Sequence, residues 1–140
     1  MAPLATYLVD KSALARLARP EVASVLLQLV KAGLTATTGM VTLEMLYSAR
    51  NSAEHDRIRS GLAAHEWLLT IDEDFERAIE VQRQLTALGK HRAVSLPDLV
   101  IAAVAERHKV TVLHYDADFD LLAELTGQPT QWVVPRASLG

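Results

Sequence analysis

The stretch Ser95-Leu96-Pro97-Asp98-Leu99-Val100-Ile101-Ala102-Ala103, followed by Val110-Thr111-Val112-Leu113-His114-Tyr115-Asp116-Ala117-Asp118-Phe119-Asp120, decides the fold. Ser95 three residues ahead of an acid, with Pro97 beside it, is a helix-opening pattern, so a helix is expected over 97–108. Val110 to His114 is a short apolar run and reads as a strand. Phe119, Leu121, Leu122 and Leu125 then recur at helical rather than alternating spacing, which predicts a helix over 118–126. A strand that is a nearly continuous apolar run, with a helix on either side of it in the chain, is buried on both faces.

The same alternation extends outward in both directions. Strands are expected at 4–9, 34–38, 67–71 and 131–134. Helices are expected at 12–18, from Pro20 to a stop at Gly33, at 39–50, at 53–64 and from Asp72 to Leu88, the last ended by Gly89. The expected fold class is α/β, a three-layer α/β/α sandwich around a mostly parallel sheet. With 140 residues, it is expected to form a single domain over 1–140.

Four acids sit where an apolar run meets a turn or a helix start: Asp10, Glu44, Asp98 and Asp116. In an open parallel sheet, ligands bind beyond the carboxyl ends of the strands. Asp10 and Asp116 directly follow their strands, and Glu44 and Asp98 lie early in helices expected to begin at that edge. Carboxylates beside apolar segments are costly without a positive partner, so the set points to a divalent cation. Each acid taken alone has a plainer reading. Asp98 fits a helix cap, Asp10 fits a strand-end cap of the next helix, and Glu44 fits a salt bridge. Asp116-Ala117-Asp118-Phe119-Asp120 is not a calcium loop, because Leu121 stands where the turn requires glycine and Gly127 where a glutamate belongs. With a helix starting at Asp118, that residue is expected to cap it and Asp120 to turn away into solvent.

The five histidines show no paired ligand spacing, and there is no glycine-rich phosphate loop or serine-nucleophile elbow. The absence of cysteine excludes disulfides and thiolate catalysis, which makes a cytoplasmic location the default. The start, Met1 to Tyr7, has no basic region and reaches Asp10 too early for a signal peptide. Charges also interrupt every apolar stretch before the length a membrane helix needs, so no membrane role is expected. A net charge of -3 argues against broad duplex binding but not against a nuclease, in which an acid cluster lowers the total.

Tyr7-Leu8-Val9-Asp10-Lys11-Ser12-Ala13-Leu14, Val41-Thr42-Leu43-Glu44, Ser95 to Ala103 and Tyr115-Asp116-Ala117-Asp118-Phe119 together resemble the PIN-domain family, and within it the VapC-type toxins of toxin-antitoxin pairs. The resemblance covers nearly the whole chain and keeps the acids in the family's order. It implies a Mg2+- or Mn2+-dependent endoribonuclease that cleaves RNA with a metal-activated water, is blocked by a cognate antitoxin, and forms a homodimer. Asp10, Asp98 and Asp116 would be metal ligands, Glu44 would ligate or orient water, and Asp118 would assist or hold a second ion. Lys11, Ser12, His91 and Arg92 are candidate substrate contacts, with Arg50 and Arg107 as further basic candidates. Two positions depart from the family pattern: Lys11 follows the first acid where a small or hydroxylic residue is common, and His114 stands where threonine or serine is frequent. The alternative is a non-catalytic protein-binding module stabilised by a cation, with a receiver-type phosphoacceptor as a weaker third reading.

Overall fold

The computed structural model describes residues 5–140; Leu4 of the first expected strand, and Met1 to Pro3 before it, lie outside the described residues. Five strands form one sheet in the order β3-β2-β1-β4-β5, every pairing parallel. The strands are β1 (Tyr7–Val9), β2 (Thr35–Thr38), β3 (Glu66–Leu68), β4 (Thr111–His114) and β5 (Thr130–Trp132). Successive side chains on a strand point to opposite faces, yet Leu8 and Val9 on β1, and Val112 and Leu113 on β4, are all fully buried. Helices therefore cover both faces, as the apolar runs predict.

The helices are α1 (Lys11–Leu14), α2 (Pro20–Lys31), α3 (Gly39–Leu46), α4 (Ser52–Leu62), α5 (Asp72–Ala87), α6 (Leu96–His108) and α7 (Asp118–Thr126). Two end four residues earlier than expected. α1 stops at Leu14 rather than 18, because Arg16 and Leu17 donate to carbonyls three residues back and tighten the chain into turns. α3 stops at Leu46 rather than 50, where the Ser48 hydroxyl donates to Met45 O and Asn51 caps α4 by accepting from Glu54 N–H. The edge strands β3 and β5 are also shorter than their apolar runs.

Strand order reverses between β1 and β4, whose chain neighbours lie to opposite sides of the sheet. The carboxyl end of that pair is the topological switch point, where an open α/β sheet leaves a crevice. It is closed locally by the Asp10 N–H donating to Leu113 O at 2.9 Å and by the Tyr115 N–H donating to Ser12 Oγ at 2.8 Å.

α5 and α6 pack antiparallel and carry two ion pairs: Arg77 meets Glu106, and Arg107 meets the buried Asp74. Arg107 donates to both carboxylate oxygens of Asp74, at 2.8 and 3.0 Å, and Asp74 also accepts from Ile71 N–H at the start of α5. Removing one partner of a buried pair leaves an uncompensated charge. Arg107→Met should therefore lower unfolding stability by about 3 kcal/mol, read as a shift in the urea midpoint. A loss no larger than that of an exposed pair would mean water reaches Asp74. Among the described residues, no helix is long and apolar enough to cross a membrane.

Candidate metal centre

Asp10 leaves β1 as the N-cap of α1. Its Oδ2 accepts from the Ser12 backbone N–H at 2.9 Å and the Ser12 hydroxyl at 2.6 Å. Its Oδ1 is buried with no partner. The cap reading of Asp10 thus accounts for one oxygen and leaves the other free. Glu44, on α3, is half-buried, and its Oε1 is likewise buried without a partner. No arginine meets it among the described ion pairs.

Asp98 stands in the first turn of α6. The cap there is Ser95, whose hydroxyl accepts from Asp98 N–H at 3.3 Å. A capping box would return the Asp98 carboxylate to Ser95 N–H, but that N–H donates to Asp118 Oδ2 at 3.3 Å instead. The Asp98 side chain, only 5% exposed as a residue, is thereby left to the crevice. Asp116, after β4, accepts from Asp118 N–H through Oδ1 at 2.9 Å.

Carboxylate oxygens of Asp10, Glu44 and Asp98 lie within 4.8 Å of one another, as do those of Asp98, Asp116 and Asp118. The two groups share Asp98. Its carboxyl is pushed up to about 8 by burial, then by repulsion from Asp10, a hydrogen bond to Asp118 and repulsion from Asp116. Burial also raises Asp10, helped by Asp116 and opposed by Ser12. Glu44 is raised by burial and by Asp10, with Lys11 acting against them. A divalent cation fits this donor set. Every donor is a carboxylate oxygen, two of them are buried and unpartnered, and the electrostatic cost of bringing them together is what a cation would remove.

A PIN domain model matches residues 7–125. Ribonuclease VapC51 of Mycobacterium tuberculosis (strain ATCC 25618 / H37Rv) is 44% identical over 133 residues, covering 95% of this chain and 96% of that protein. The chain belongs to the PIN-domain family. Ribonuclease VapC21 of the same species is 45% identical over 129 residues, covering 91% of this chain and 94% of its own. Among solved structures, DNA-bound VapBC from Salmonella typhimurium aligns with a TM-score of 0.74 over 94% of this chain and 100% of that one, at 13% identity, which speaks to the fold alone.

In this PIN domain the remaining candidates separate. Lys11 opens α1 beside the cluster, near enough to act on Glu44. Ser12 has its proton on Asp10 and its lone pair on Tyr115 N–H, so it braces the site rather than presenting a free hydroxyl. His91 and Arg92 lie in the turn before α6 and belong to neither carboxylate group. Arg107 is spent on Asp74, and Arg50 pairs with Glu54. Two expectations need correction. Asp118 does not cap α7: Ala117 stands at the cap position with no side-chain cap bond, and the Asp118 N–H is taken by Asp116 Oδ1. Asp120 turns away from the cluster but is not simply solvated: it accepts from Trp132 Nε1 at 3.0 and 3.3 Å, with Arg136 at 3.8 Å. That contact joins α7 to β5, and helical spacing could place Asp120 off the site without revealing its partner.

Proposed function

We propose that this chain is the toxin endoribonuclease of a VapBC-type pair and cleaves RNA with Mg2+ or Mn2+ held by Asp10, Asp98 and Asp116, assisted by Glu44 and Asp118. The observation that carries this reading is the convergence of two overlapping carboxylate groups, with unpartnered buried oxygens on Asp10 and Glu44. When bound, the cation supplies Lewis acidity, neutralising phosphodiester charge and making water a competent nucleophile at neutral pH. Ser12 fixes Asp10 through Oδ2, which leaves the unpartnered Oδ1 as the oxygen that would hold the ion. Asp98 would hold the ion in its deprotonated form, and Asp118 keeps Ser95 and the start of α6 in place. Glu44, raised by burial, is suited to accept a proton from the attacking water. The relatives named as VapC ribonucleases support the activity. A homodimer, one domain over the whole chain and a cytoplasmic setting belong to the same reading.

The purified chain should cut single-stranded RNA when Mg2+ or Mn2+ is added and stop when the ion is chelated. Asp10→Asn should remove cleavage without changing the circular dichroism spectrum. Expression in bacteria should arrest growth, and the same substitution should lift the arrest. Arrest that persists with the inactive protein would favour the non-catalytic binding module.

A further inference from the structure

We infer that His114 is the positioning residue of the fourth carboxylate, holding the Asp116 backbone through its ring while Phe119 and Trp132 hold the ring itself. This rests on the metal reading above. The Asp116 N–H donates to His114 Nδ1 at 3.1 Å, so that nitrogen carries no proton. The ring is fully buried, with Phe119 on one flank and Trp132 on another, both centroids 5.0 Å away. Trp132 is tied in turn by its indole N–H to Asp120. A chain of contacts thus runs from β5 through the end of β4 to the residue that turns the backbone into the site.

What marks the histidine as more than filling is its other nitrogen. His114 Nε2 is buried and has no partner. Leaving a buried polar atom unpaired costs on the order of 1–3 kcal/mol, and a phenylalanine would occupy the same aromatic slot without that cost. A side chain chosen for packing alone would be apolar here. The histidine supplies one thing phenylalanine cannot, an acceptor for the Asp116 N–H. Without it the N–H loses its partner and the carboxylate loses its fixed departure from β4. Asp116 Oδ1 is also bonded to Asp118 N–H, so two of the three acids of the second carboxylate group depend on this placement.

The test separates acceptor from packing, using thermal melts of metal-free protein and isothermal titration with Mn2+ on the full chain. His114→Phe should melt at or above the wild-type temperature yet bind Mn2+ about 10- to 100-fold more weakly, the usual cost of removing a group that orients a metal ligand. His114→Asn restores an acceptor that can reach the N–H two residues on but cannot fill the aromatic slot. It should melt lower than wild type and bind Mn2+ more tightly than the phenylalanine variant. A phenylalanine variant that melts lower while its Mn2+ affinity is unchanged would make His114 structural and overturn the inference. A wild type that binds no Mn2+ would overturn the metal reading, and this inference with it.

Discussion

Asp98→Asn should make the metal-free protein more stable and the protein useless as a nuclease. In the folded chain Asp98 holds its proton up to about 8, whereas an unperturbed aspartate loses it near 3.8. Between those values the folded state binds more protons than the unfolded one, so this residue's contribution to stability falls as pH rises through that window. Asparagine cannot ionise, and its amide can still donate to Asp118 as the protonated acid does. The variant should therefore melt ~5 °C higher than wild type at about pH 8 and match it more closely toward acid pH. Added Mn2+ should raise the wild-type melting temperature and move the variant much less, because the residue shared by both carboxylate groups is gone. Loss of several kcal/mol of transition-state stabilisation predicts a fall in RNA cleavage on the order of 10^3. A variant with wild-type melting, metal response and activity would return Asp98 to a capping role.

Along Asp116, Asp118 and Asp120, asparagine substitutions should grade steeply in kcat for RNA cleavage. Asp116→Asn should lose activity on the order of 10^2 or more, since an amide replaces a charged ligand donor. Asp118→Asn should lose roughly tenfold, because its carboxylate neighbours Asp98 and also accepts from Ser95 N–H, a bond the amide oxygen can keep. Asp120→Asn should cost no more than about a few-fold, because its amide oxygen still accepts from Trp132. A loss at Asp120 equal to that at Asp116 would mean Asp120 reaches the reacting centre, against its placement beside Trp132.

The layered parallel architecture and the edge where the acids meet are legible in the periodicity of the chain. Apolar runs such as Val110 to His114 cannot be half-wet strands, and helical spacing after Asp118 sends Asp120 away from Asp116. Both are local consequences of period and burial. How each acid is held depends on contacts between distant parts of the chain. Asp98 does not close its helix cap because Asp118, 23 residues beyond Ser95 in the chain, takes the Ser95 N–H. Ser12 joins Asp10 to Tyr115 across 103 residues, which follows from β1 lying beside β4 in the sheet order. Arg107, a basic candidate by sequence, is engaged by Asp74, which α5 brings to it from 33 residues away. Asp120 found Trp132 only because β5 adds beside β4. Periodicity records which face of an element is buried, but a hydrogen bond between distant residues is fixed by strand order and helix packing, for which no local stretch of chain carries a signal.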